Sequence, residues 1–190
     1  WYQLTIEPNT LFGSSPPVLP DADALWDIFE QGPQLLTAAG YQQYETSAYA
    51  KPGYQCQHNL NYWRFGDYLG IGCGAHGKVT FPDGRILRTA KTRHPRGYME
   101  GRYLERQHDV EAADKPFEFF MNRFRLLEAA PRAEFTRYTG LPESVIRPQI
   151  DEALAQGYLT ECDESWQITE HGKLFLNSLL ELFLAESPAG

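Results

Sequence analysis

Apolar and polar positions alternate through "WYQLTIEP" at residues 1–8, a period of two that predicts a β-strand. The period then lengthens. In "PPVLPDADALWDIFEQGPQLLTAAG", Leu25, Ile28, Phe29, Leu35 and Leu36 recur at helical spacing; Asp21 or Asp23 stands where an N-cap belongs and Gly40 where a helix stops. "YQQYETSAYA" returns to strand composition, so residues 1–50 read as β-α-β, a unit that implies a parallel sheet. Residues 51–63 read as loop, opened by the turn signal "KPGYQ". "YLGIGCGAHGKVTF" reads as a glycine-interrupted buried strand running into the turn "PDG", and "YMEGRYLERQ" as a short helix.

A second pattern begins at "DKPFEFFMNRFRLLEAAP". Asp114 is placed to cap a helix with Pro116 in its first turn, and Pro131 is placed to end it. "RAEFTRYTG" and "PESVIRPQIDEALAQGY" predict two more helices, "YLTECDESWQITEHG" a hairpin, and "KLFLNSLLELFLA" a closing apolar helix. Three helices, a two-stranded wing and a last helix predict a winged-helix-like domain over residues 114–190, after an α/β region over residues 1–113.

Composition narrows the function. With 190 residues, 42% of them hydrophobic, the chain can bury one sizeable core, or a core and a small satellite. No run approaches the ~18 apolar residues of a membrane span, and the N-terminal residues lack a secretion-signal pattern. Three cysteines form no disulfide framework, which predicts a reducing, cytoplasmic home.

The net charge of −8 speaks against general nucleic-acid binding, but the charge is uneven. Residues 1–50 hold no Lys or Arg, whereas residues 85–106 hold seven: Arg85, Arg88, Lys91, Arg93, Arg96, Arg102 and Arg106. Solvated surface accounts for most such cations; an anionic ligand or acidic partner would engage one or two. The helix that would read DNA in a winged helix offers only Arg147 against Glu143, Asp151 and Glu152, and Pro148 interrupts it, so DNA is not an expected partner.

The densest chemistry lies in "CQHNLNYWRFGDYLGIGCGAHG", residues 56–77. Cys56, His58, Cys73 and His76 could be written as a zinc quartet, but the short paired spacings of zinc sites are absent. "GIGCG" resembles nucleotide loops only superficially, because no helix-forming run follows it. Its glycines fit a backbone that approaches a ligand or a neighbouring chain closely.

Four segments together carry a family resemblance: "TIEPNT", "YETSAYAKPG", "HNLNYW" and "GIGCGAHG". The chain resembles the C-terminal half of radical S-adenosylmethionine proteins related to oxygen-independent coproporphyrinogen III oxidase, and within them the HemW-type heme chaperones. "HNLNYW" is the most specific element, since the true oxidases are expected to lack an intact H-N-x-x-Y-W.

The resemblance implies the C-terminal portion of a partial (β/α) radical-SAM barrel followed by the winged-helix-like domain. It also implies heme as the molecule held, an acceptor protein of unspecified identity, and S-adenosylmethionine with a [4Fe–4S] cluster in the full-length parent only. The Cys-x3-Cys-x2-Cys cluster loop of the family is not in these residues, and Cys56, Cys73 and Cys162 have the wrong spacing to replace it. By the same resemblance Thr5, Gly72, Cys73 and His76 belong to an S-adenosylmethionine surface, while His58, Asn59, Tyr62 and Trp63 contact heme.

His58 is then the leading axial ligand to heme iron, with Cys56 a thiolate alternative and His76 a second ligand. Beside that stands a plainer assignment, in which His58 and Asn59 hydrogen-bond a loop and Tyr62 and Trp63 fill the barrel mouth. Three function classes follow: a heme chaperone, a porphyrinogen-decarboxylating enzyme, and a scaffold with no ligand of its own.

Overall fold

A computed structural model describes residues 4–185. Its chain divides into two compact units between Cys56 and Gln57.

In the first unit, Thr10 caps a single turn, α1 (Leu11–Ser14), by accepting the Gly13 N–H at 3.0 Å. Asp21 likewise caps α2 (Ala22–Ala38), accepting the Ala24 N–H at 2.8 Å, and Gly40 ends it at φ 83°. Two expectations fail here. Residues 1–3 of the anticipated first strand lie outside the described residues, and residues 4–7 belong to none of the described sheets, so they form no strand. "YQQYETSAYA" is not one strand but an antiparallel hairpin, β1 (Gln42–Glu45) against β2 (Ala48–Ala50). The Glu45 carboxylate accepts the Ser47 N–H at 3.1 Å and the Gln43 amide donates to the Thr46 carbonyl at 3.1 Å, which together turn the chain. The β-α-β unit with parallel strands is therefore absent from the described residues, where every ladder is antiparallel. Within this unit α2 buries no residue, and Trp26 and Leu35 stand 53% and 72% exposed.

The second unit opens with a helix where loop was expected, α3 (Gln57–Trp63), anchored by buried Leu60. Phe65 stops it at φ 61°, a left-handed conformation that a non-glycine residue keeps only when its surroundings hold it. Here they do: the ring is buried edge-on to Phe119 and Tyr138, and the carbonyl accepts from Lys78 Nζ at 2.9 Å.

β3 (His76–Thr80) and β4 (Ile86–Lys91) join through the anticipated "PDG" turn, then α4 (Pro95–Met99) leads to β5 (Leu104–Asp109). The strands lie in the order β3-β4-β5. "YMEGRYLERQ" is thus mainly turn and strand, because residues 104–109 gain a ladder with β4 that local helix formation would forgo.

α5 (Lys115–Arg123) is shorter than the sequence pattern, and Asp114 makes no side-chain cap. Buried Arg123 explains the early end: its guanidinium bonds Glu128, Glu134 and the Ala129 carbonyl, folding the chain back on the helix. Next come β6 (Ala130–Pro131), α6 (Arg132–Thr139), a 3-10 turn at Glu143–Ile146 and α7 (Arg147–Ala155). The hairpin β7 (Leu159–Glu161) and β8 (Ser165–Ile168) follows. The expected closing helix is two, α8 (Glu170–Leu174) and α9 (Leu176–Glu181), broken at Phe175. The small sheet has the order β6-β8-β7.

One core joins both sheets of this unit. Phe65, Ile86 and Val110 from the first region pack with Phe119, Phe120, Phe135, Trp166 and Phe183. That shared core holds α3, β3 and α5 in fixed relation, and their edges enclose the candidate site.

Candidate functional site

Tyr62 and Trp63 sit in the last turn of α3, and the following loop runs beside β3, where Tyr68 and Lys78 exchange backbone hydrogen bonds at 2.9 and 3.0 Å. Gly70 makes this approach feasible: a Cβ there would lie 2.4 Å from the His76 carbonyl oxygen. The loop therefore hugs the strand, and a cavity of about 510 Å³ opens between them. Tyr62, Trp63, Tyr68, Leu69, Ile71 and His76 form most of its wall.

The wall sets aromatic and aliphatic surface beside polar atoms in about equal share. Tyr62 meets Tyr68 edge-on at 4.5 Å between centroids, and the Arg125 guanidinium lies over the Trp63 ring at 4.5 Å. Trp63 Nε1 is buried and has no hydrogen-bond partner in the protein. Leu69 and Ile71, by contrast, are 78% and 83% exposed, two large apolar side chains left in water beside an aromatic wall.

His58, one helical turn before Tyr62, is exposed, and its Nε2 lies 2.8 Å from the Tyr62 hydroxyl. In the tautomer that donates Nε2–H to the phenol oxygen, Nδ1 carries a free lone pair; ligating histidines are commonly held by their second nitrogen in this way. A porphyrin supplies four nitrogens to its iron, so one such imidazole suffices on the protein side. Among the described residues, no group of three or more His, Cys, Asp or Glu side chains is placed to hold a bare metal ion.

Beneath the cavity a polar cluster fixes the loop. Lys78, only 1% exposed, donates from Nζ to the Phe65 carbonyl at 2.9 Å, to Asp67 at 2.9 Å and to the Thr80 hydroxyl at 2.8 Å. Its charge also rests over the Phe65 ring at 4.0 Å. Burial is the largest influence on both partners. It lowers the Lys78 ammonium below its usual range despite Asp67. At Asp67 burial opposes ionisation, but the Thr80 N–H, Lys78 and the Thr80 hydroxyl together outweigh it and hold the carboxyl below its usual range.

The residues singled out in the sequence fall in three places. Tyr62, Trp63 and His76 line the cavity; His58 is not part of its wall and reaches it only through Tyr62, and Asn59 is half-buried on the same helix. Gly72 and Cys73 form the turn before β3. Gly72 adopts φ 101°, its N–H donates to the Tyr98 hydroxyl at 3.0 Å, and the Gly74 N–H donates to the Thr92 carbonyl at 2.9 Å, so these donors are engaged internally. Thr5 and Cys56 belong to the first unit. Cys56, Cys73 and Cys162 are free and exposed, and no arrangement of them fits a cluster loop.

Leu69, Ile71, Tyr68 and the Lys78–Asp67 pair escaped the sequence reading. The signal for the first two was there: apolar residues between glycines in a segment too irregular to be a buried strand.

Of the basic segment, Arg88 pairs with Glu118 and donates to the Tyr68 hydroxyl at 3.0 Å. Arg85 pairs with Asp109 at 3.5 Å, Arg93 with Glu105 at 3.9 Å, and Arg102 with Glu100 at 2.8 Å. Lys91, Arg96 and Arg106 have no ion pair among the described residues.

Residues 110–175 match the HemN C-terminal domain family. The chain is 89% identical over 186 residues to a heme chaperone HemW of Escherichia coli, covering 98% of this chain and 49% of that protein. It is 71% identical over 186 residues, with the same coverage, to a heme chaperone HemW of Haemophilus influenzae. Its fold is similar to that of coproporphyrinogen III oxidase from Escherichia coli, described as a radical SAM enzyme. The TM-score is 0.62 at 16% identity, covering 86% of this chain and 42% of the other. The chain spans about half the length of the curated relatives it matches.

Proposed function

We propose, from the similarity of this chain to heme chaperone HemW proteins of which it spans about half, that it belongs to the HemW-type family and forms the heme-holding part of a cytoplasmic heme chaperone that passes its cargo to an acceptor protein. The observation that carries this reading is the cavity beside α3, where Tyr62, Trp63 and Tyr68 form an aromatic wall and Leu69 and Ile71 are left exposed at its edge. A flat, largely apolar macrocycle is the kind of ligand that would cover such a surface, and its volume is in the range of small-molecule sites.

His58 is the iron ligand in this proposal, turned outward by its bond to Tyr62, with Asn59 beside it on α3 and His76 a further imidazole from the opposite wall. The exposed loop edge suits a chaperone, because cargo that is to be handed on needs an open side.

The rest of the assignment follows the family. Residues 1–113 are taken as the end of the partial barrel with its accessory hairpins, so that the exposed apolar side chains of α2 meet the preceding barrel of the full-length protein. Residues 114–190 are taken as winged-helix-like, with β7 and β8 as the wing. S-adenosylmethionine and the [4Fe–4S] cluster belong to the full-length protein, with Gly72, Cys73 and His76 as the cosubstrate surface of the second unit; no chemical step is assigned to this chain. No helix of the described residues is long and apolar enough to cross a membrane.

Hemin titration of the full-length protein tests the reading. Wild type is expected to give a saturable Soret shift. Trp63→Ala is expected to weaken binding about tenfold, near 1.4 kcal/mol, while Trp63→Phe, which keeps a ring in place, loses less. Equal affinity in wild type and Trp63→Ala would remove the cavity from heme binding.

A further inference from the structure

A second cavity, about 320 Å³, shares Tyr68 and His76 with the first and is lined as well by Arg88, Ala90, Arg106, His108 and Glu118. Strand register explains its shape. His76 pairs with Ala90 and Ala90 with Arg106, so these three form one row across β3, β4 and β5. Lys78, Arg88 and His108 form another row two positions on, with side chains on the same face. Ala90 is the small member between two long polar side chains, and its shortness leaves the hollow.

The charges in the hollow are not balanced. Arg88 and Glu118 neutralise each other, and Lys78 is turned to Asp67. The Arg106 side chain makes no hydrogen bond or ion pair in the described structure, and neither does that of His108. An unspent, solvent-exposed guanidinium therefore lines a hollow of mixed polar and apolar surface, which joins an aromatic cavity through one shared imidazole and one shared phenol ring.

We propose that Arg106, assisted by His108, is the carboxylate-binding end of the cargo site, and that it takes the propionate groups of the porphyrin whose ring occupies the neighbouring cavity. The inference rests on the heme-chaperone reading. Guanidinium matches a carboxylate with two parallel N–H donors, and such charge-assisted bonds are stronger than neutral ones. Two strand spacings, about 10 Å, separate the Arg106 row position from that of His76, so the site would hold the ring at one end and the acidic edge at the other. This fixes which way round the cargo sits. Arg88, which lines the same hollow, is already held by Glu118 and Tyr68 and serves to shape it.

The test uses hemin and hemin dimethyl ester, whose carboxylates are masked, titrated into full-length wild type, Arg106→Gln and Lys91→Gln. Arg106→Gln is expected to lose about tenfold in hemin affinity and to bind the ester as wild type does. Lys91→Gln, another unpaired cation nearby, is expected to change neither by more than about twofold. Unchanged hemin affinity in Arg106→Gln, or equal loss for both ligands, would overturn the carboxylate assignment while leaving the chaperone reading intact. Failure of wild type to bind either porphyrin saturably would overturn both.

Discussion

Truncating Phe120 to Ala is expected to cost the chain about 4 kcal/mol of stability, the middle of the range for removing a buried aromatic side chain. The side chain is fully buried, stacks on Phe124 at 4.6 Å and on Phe135 at 5.8 Å, and touches Trp166 and Phe183 at 5.7 and 4.3 Å between centroids. Its neighbours come from α5, α6, β8 and the region after α9, so no single element can collapse into the space. Phe120→Leu, which keeps most of the volume, is expected to lose about half as much. Urea unfolding of the two variants checks the claim. A loss below about 1 kcal/mol in Phe120→Ala would mean that the aromatic cluster is loosely packed.

The second large effect concerns the Lys78–Asp67 pair, and it depends on which partner is removed. Asp67→Ala leaves an ammonium that is 2% exposed in its side chain without its counter-ion, and is expected to cost about 3 kcal/mol. Lys78→Met removes the buried charge itself and replaces it with an apolar chain of similar length; it is expected to stay within about 1.5 kcal/mol of wild type. The two partners lean opposite ways, since the pair favours ionised Asp67 while burial disfavours ionised Lys78. Its main contribution is thus to hold Phe65 and the cavity loop in place rather than a large net gain.

The pH sign follows from the same directions. Asp67 has a folded pKa below its unfolded value of roughly 3.9, so its contribution is present above that value and is lost as pH falls through the folded pKa. Asp67→Asn should flatten this part of the acid limb, and an acid limb identical to wild type would contradict the assignment.

Legibility in the sequence tracked how local the determining physics was. α2 was plain from Asp21 and Gly40, since a cap and a left-handed stop need no partner. α3 was missed because its seven residues bury only Leu60; the core that orders them comes from α5 and the neighbouring sheet. "LERQ" read as helix and became strand because its ladder partner on β4 lies at a distance in the sequence.

The candidate site divides in the same way. "HNLNYW" and His76 could be picked out as chemistry-bearing residues, and Tyr62, Trp63 and His76 do share a cavity wall. A lysine within a strand reads as solvent-facing, so nothing local marked Lys78 as a buried anchor for the loop. Arg106 was one of seven cations until the register of β5 separated it from those already paired.

Iron coordination tests the central claim most directly. Hemin titrated into full-length wild type, His58→Ala and His76→Ala reports both affinity and, through the Soret position, the axial ligand. Heme held on α3 predicts that His58→Ala loses the wild-type Soret position and binds at least about tenfold more weakly. His76→Ala should keep that position with a smaller loss of affinity. An unchanged affinity and an unchanged Soret band in His58→Ala would contradict heme ligation at this motif and leave the His58–Tyr62 bond as a structural contact.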